Sequence, residues 1–191
     1  MQIQVLESFN WVDILLILFL IKTIYSGAKT GLTSELFKLI GTITSVVVGL
    51  HYYNEIANIL GNYIKMPIGA LQCIILAVIA LLIAIIIKYV VILLLKILNI
   101  QFVKHLEKVG GALIGLARGF LIGGLFMIAL AFLPVEYLNK SICEKSLLSG
   151  LFIQSTEKTY TSIISIIPSQ KPKEIPITPL VEKTKPKPKS K

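Results

Sequence analysis

The stretch from Gly110 to Gly124 reads GGALIGLARGFLIGG, and it limits the fold more than any other part of the chain. Gly111, Gly115, Gly119 and Gly123 recur every fourth residue, and apart from Arg118 the residues around them are apolar or glycine. On a helix this spacing leaves one face almost without side chains, so another helix backbone can approach closely there. In a soluble helix each such Gly would cost about 0.5–1 kcal/mol relative to Ala. In a bilayer the close approach of neighbouring helices offsets that cost, and Gly is correspondingly commoner. The ladder therefore predicts a membrane helix around which the rest of the chain packs. Two roles stand open for it: packing alone, or packing together with lining a path for a solute.

Composition agrees with a membrane setting. Hydrophobic residues make up 55% of the 191, and charged residues only 15%. With a mean hydropathy of +0.82, the chain lacks the polar groups needed to cover an ordinary soluble domain, in which roughly 25% of residues are charged. The net charge of +9 is concentrated at one end: residues 168–191 hold seven Lys and two Glu, or +5 of the +9. Cys73 and Cys143 have no metal-ligand spacing and read as two free thiols. A secretory leader needs a basic n-region, whereas the only charge before the first apolar run is Glu7. Residues 11–28 therefore read as a retained first span.

The fold class expected is all-α, a bundle of four transmembrane helices over residues 10–134. An amphipathic, interfacial segment over 135–167 and a disordered, basic, Pro-rich tail over 168–191 follow. Asn10 is the expected N-cap of helix one, with Asp13 in its first turn. Gly27 and Gly31 lead through a short turn to Glu35, which makes helices one and two antiparallel neighbours. Thr33 is the expected cap of helix two, which should run from Ser34 to Tyr52 with a small-residue stripe at Gly41, Ser45 and Gly49. A polar loop over 54–67 should come next. Helix three, over 68–98, would be about 46 Å long against a hydrocarbon core of about 30 Å, so it should tilt or turn along the surface near Lys88. Helix four should run from Val109 to Leu133.

Among the charges Arg118 is the most informative, because an arginine at membrane depth normally faces protein or water. In a four-helix topology it lies nearer Glu35 than Asp13. The two readings are a fork-like pair with Glu35 and an unpaired side chain snorkelling to the interface. Asp13 is likewise either a helix cap or a functional polar residue. No metal, cofactor or catalytic set emerges: HExxH, GxSxG, GxxxxGK[ST] and CxxC do not occur, and the topology puts His51 and His105 on opposite faces of the membrane. The tail lacks the interleaved aromatics of a nucleic-acid binder, so nucleic acid is not among the expected partners. A lysine-rich segment of this kind is attracted to anionic surfaces.

These features, in this order, resemble the colicin V production protein (CvpA) family of bacterial inner-membrane proteins. The resemblance covers residues 10–167. It rests on Trp11-Val12-Asp13, on Gly27, Gly31 and Glu35, and on an LDR-like Leu106-Glu107-Lys108 leading into Gly111, Gly115 and Arg118-Gly119. Glu107 and Lys108 stand where the motif has Asp and Arg. The resemblance implies a non-enzymatic multi-pass protein that supports toxin production or secretion and envelope function. The bilayer is the expected partner, together with a second copy of the chain or an envelope protein. A small-solute or ion channel, with Arg118, Glu35 and Asp13 along its path, is the alternative.

Lysine asymmetry orients the bundle. Lys29, Lys96, Lys104 and Lys108 flank loops one and three, whereas loop two holds only Lys65. The positive-inside rule then puts loops one and three in the cytoplasm and both termini outside. In a chain with Cys73 and Cys143 replaced by Ser, Lys65→Cys and Ser190→Cys should react with an impermeant maleimide in spheroplasts. Labelling of Lys29→Cys without labelling of Ser190→Cys would reverse the orientation.

Overall fold

Gly31 sets the path of the chain. Its φ of +88° is a left-handed conformation that only glycine adopts readily, and it separates helix α1 (Trp11–Thr30) from helix α2 (Leu32–Gly61) with no further linker. A computed structural model describes residues 11–97, 104–133 and 146–166 of the protein. Its other helices are α3 (Ile68–Ile97), α4 (Lys104–Ala131) and α5 (Leu147–Ile164). Helices α1 to α4 are each long and apolar enough to cross a membrane. The expected Asn10 cap, Cys143 and the tail over 168–191 lie outside the described residues.

Several boundaries differ from the sequence-based expectation. Helix α2 begins at Leu32 with Gly31 at its N-cap, so Thr33 does not cap it. It continues to Gly61 through the expected polar loop. Asn54, Glu55 and Asn58 are polar because they are exposed at the helix end, not because the helix has stopped. Tyr53, one residue past the expected end of helix two, is buried and stacks on Phe132 with ring centroids 5.0 Å apart. Helix α3 runs without a break through Lys88 to Ile97.

The expected antiparallel pairing of α1 with α2 is not the main packing. Helix α1 lies chiefly along α4, and the two successive helices meet little beyond their junction at Gly31. The reason is the glycine ladder. A Cβ on Gly27 would collide with the carbonyl oxygen of Gly111, one on Gly111 would collide with that of Gly27, and one on Gly115 would lie 2.6 Å from the carbonyl oxygen of Thr23. At Gly119 it would strike the Thr23 hydroxyl. Three rungs thus bring two backbones together, and α4 becomes the axis touched by every other helix. The fourth rung turns to a different partner: Gly123 receives the ring of Phe152 from α5. Gly41 and Gly49 accommodate α3 side chains, Ile87 and Leu76.

Helix α3 packs on α2 and barely reaches α4. Most of its surface is exposed and apolar, including Leu81, Leu82, Ile86 and Leu93. Lipid tails are as apolar as leucine, so a helix in a bilayer loses little by presenting such a face.

Helix α5 crosses the end of the bundle opposite Gly31. It starts beside Asp13 of α1, passes Gly123 and Gly124 of α4 at Phe152 and Thr156, and reaches His51 of α2 at Tyr160. Phe152, Ile153, Thr156, Tyr160 and Ile164 are fully buried beneath it. The segment over 135–167, whose amphipathic pattern suits the membrane surface or the side of the bundle, contributes over 147–164 a strap that joins three other helices.

The ladder sets a stability test. Gly111→Ala forces α1 and α4 apart and should cost about 1–3 kcal/mol, the usual range for overpacking a tight contact. At Gly61 an added Cβ meets side chains only at 3.7 Å and beyond, so Gly61→Ala should be neutral or stabilise by up to about 1 kcal/mol. Thermal unfolding of the purified variants in one detergent checks both, and equal melting temperatures would refute the ladder contact.

Candidate functional site

Glu35 lies in the first turn of α2, where the unpaired N–H groups and the helix dipole favour a carboxylate. It is 0% exposed. Three side chains gather around it. Lys38, three residues on and so on the same helix face, brings Nζ to 2.8 Å from Oε1. The Thr30 hydroxyl, at the end of α1, donates to the same oxygen at 3.2 Å. From α4, Arg118 brings Nη1 to 2.9 Å from Oε2.

Arg118 reaches Glu35 because side chains on a helix lean toward its N-terminus. Helix α4 begins at the Gly31 end, so the guanidinium points back toward that end and toward α2. The structure thus brings Arg118 to Glu35, and its side chain is only 14% exposed. The contact is not the bidentate fork expected of such a pair. One guanidinium nitrogen faces one oxygen, off the alignment of a hydrogen bond, and Arg118 Nε has no hydrogen-bond partner. With two cations around one carboxylate, the cluster carries a net +1.

The cluster borders a cavity of about 510 Å³ between α2, α3 and α4. It exists because α3 leans on α2 and leaves α4. Thr30, Ser34, Lys38, Lys88 and Arg118 line it toward the Gly31 end, and Ala84, Ile122 and Leu125 continue it toward the bundle centre.

Asp13 is far from this cluster, at the other end of α1. It is fully buried and caps the start of α5. Its Oδ1 accepts from the Ser146 hydroxyl at 2.5 Å and from the Leu148 N–H at 3.1 Å, at the start of α5. The Ser146 hydroxyl in turn accepts from the Ser149 N–H at 3.1 Å. Two of the free donors at that helix start are thereby satisfied. At the other end of the strap, His51 Nδ1 and the Tyr160 hydroxyl are 3.4 Å apart in a buried contact. His105 is exposed in the first turn of α4. Among the described residues no group of three or more His, Cys, Asp or Glu could hold a metal ion.

Lys38 and Thr30 were not singled out from the sequence. The Glu35-x-x-Lys38 spacing is a readable helical pair. Thr30 has no such signal, since its contact depends on the sharp turn at Gly31. Neither does Ser146, whose partner Asp13 is 133 residues away.

The cluster makes a sharp energetic expectation. Removing one partner from a buried pair leaves a charge with nothing to neutralise it, at a cost of about 3–5 kcal/mol in well-buried cases. Arg118→Ala and Glu35→Ala should each lower the melting temperature in detergent and in nanodiscs. The double variant should lose less than the sum, with a coupling of about 0.5–3 kcal/mol. Because a single nitrogen makes the contact, Arg118→Lys should retain part of the stability. Strictly additive losses would show that the two side chains are adjacent without being coupled.

Comparison with known proteins places the chain once this geometry is in view. No curated protein and no solved structure matches it. The family profile described as Colicin V production protein matches residues 12–157, a range that runs from the first turn of α1, through the ladder and the Arg118–Glu35 cluster, into the strap α5. A match of that extent shows that the chain, a membrane protein with four helices long enough to span a bilayer, belongs to the colicin V production (CvpA) family.

Proposed function

We propose that this is a non-enzymatic, multi-pass protein of the bacterial inner membrane that supports the production or secretion of a colicin V-type toxin and the function of the cell envelope. The family match over residues 12–157 carries this reading. The use of the buried polar groups supports it. Asp13 holds the start of α5, Glu35 holds Arg118 and Lys38, and Tyr160 meets His51. Each contact joins helices, or neighbouring turns of one, and the polar groups are thereby engaged in shaping the bundle. Loops one and three face the cytoplasm in this reading, and the termini face outward. The bilayer is the first partner, and a second copy or an envelope protein is the next.

A channel or transporter for small solutes or ions is the second reading, favoured by the charged mouth of the cavity beside Arg118. Two experiments separate them. In a toxin-producing strain, deletion of the gene should reduce secreted toxin and plasmid-borne wild type should restore it; unchanged secretion would refute the first reading. In proteoliposomes, the purified protein should give ion and small-solute flux no greater than empty vesicles. Flux that the wild type supports and Arg118→Ala abolishes would establish the second reading instead.

A further inference from the structure

The cavity between α2, α3 and α4 has an axial order of its own. Along α2 it runs from Ser34 to Ser45, and along α3 from Ile92 to Ala80. Eleven residues of helix rise about 16 Å at 1.5 Å per residue. Lys38 and Arg118 stand toward the Gly31 end with Val91 and Ile92, and Lys88 lies about one turn further in. Beyond them the walls are mainly apolar, with Ala80, Ala84, Ile122 and Leu125. The three cations are therefore gathered in the half of the cavity nearer the α1–α2 turn, and hydrocarbon-like walls lead inward from them.

The charges are unbalanced. Three cations border the cavity, and among the described residues the only carboxylate in ion-pair contact with them is Glu35, which leaves +2. Glu35 is shared by Lys38 and Arg118. Lys88 has no carboxylate within ion-pair distance among the described residues, and Arg118 Nε lacks a hydrogen-bond acceptor. Such a site calls for an anion with hydrogen-bond-accepting oxygens. A free anion would leave the inner, apolar walls uncovered. A lipid with an acidic headgroup supplies both the anion and an apolar chain for these walls. A cavity of this volume lies within the range of small-molecule sites.

We propose that the α2–α3–α4 cavity holds one anionic phospholipid, its phosphate among Lys88, Lys38 and Arg118 and one acyl chain along Ala84 and Leu125. Basic pockets between membrane helices on the cytoplasmic side recognise acidic headgroups in this way, and the lysine asymmetry puts the Gly31 end on that side. The lipid supplies the oxygens that Glu35 cannot, and it covers the face of α4 that α3 leaves open. This inference rests on the cavity and its charges and stands apart from the toxin-related reading.

The test uses the full-length protein purified in a neutral detergent, with binding read by native mass spectrometry and by thermal shift. Phosphatidylglycerol should bind and raise the melting temperature, whereas phosphatidylcholine and inorganic phosphate should do so far less. Lys88 is exposed and outside the Glu35 cluster, so Lys88→Gln should leave the fold intact. It should weaken phosphatidylglycerol about five-fold, the usual effect of one lysine near an acidic headgroup. Ala84→Phe fills the apolar part and should remove the thermal shift while the lipid-free melting temperature stays near wild type. Equal binding of phosphatidylcholine, equal binding of inorganic phosphate, or unchanged phosphatidylglycerol binding in both variants would overturn the proposal. So would a disulfide-linked dimer of Ala84→Cys in cells, made in a chain free of its own cysteines, because a second copy would then occupy the cavity.

Discussion

The contact between the backbones of α1 and α4 is the constraint on which the rest of the structure depends. Gly27 and Gly111 lie so close that neither could carry a Cβ. Within a bilayer no hydrophobic force drives helices together, so packing contacts and polar bonds must do it. Contacts between bare backbones bring many atoms to van der Waals distance over a short length, and each gains a little dispersion energy. Because three rungs of the ladder serve α1, the neighbouring α2 has to reach α4 from another side. The sharp turn at Gly31 allows this without a loop.

That arrangement also decides where the charges go. Glu35 sits just past the turn, Thr30 just before it, and Arg118 leans toward it from α4. A carboxylate with no exposed surface would be very costly alone in an apolar medium. Its position at a helix start and its two cations offset that cost. The pair is a consequence of topology: an arginine about four turns into α4 leans back toward the end at which that helix begins, and Glu35 is the acid it meets there. The leftover positive charge lies along the lateral opening where α3 follows α2 away from α4.

At the opposite end the bundle is closed by a strap. Thr156 brings its hydroxyl within 3.0 Å of the Phe152 carbonyl and 3.3 Å of the Leu121 carbonyl, so α5 presses on α4 where Gly123 and Gly124 make room. Asp13 and His51 anchor its two ends. The strap carries Gln154, Glu157 and Lys158, too many polar groups for a span, and yet it buries Phe152, Ile153 and Tyr160. Its role in the fold is to tie α1, α4 and α2 together at one level.

The four spans were legible in the sequence because a hydrocarbon core demands about 20 apolar residues in a row, whatever the helix packs against. The ladder was legible for the same kind of reason, since a backbone contact needs glycine at every fourth position and nothing else. The neighbourhood of Arg118 and Glu35 followed from counting crossings. Other features needed the tertiary structure. The end of α2 was misread because polarity at Asn54 and Glu55 reports exposure, and exposure is possible on a helix as well as a loop. The bonds of Asp13 to the start of α5 could not be read from sequence, because capping is read over three residues and these donors are 133 and 135 residues away. The Glu35 geometry, the choice of α4 over α2 as the main partner of α1, and the cavity beside α3 likewise arose only when the helices met. Length and glycine spacing are local properties that a bilayer enforces on each segment separately, whereas a partner is fixed by which surfaces remain free after the tightest contact has formed.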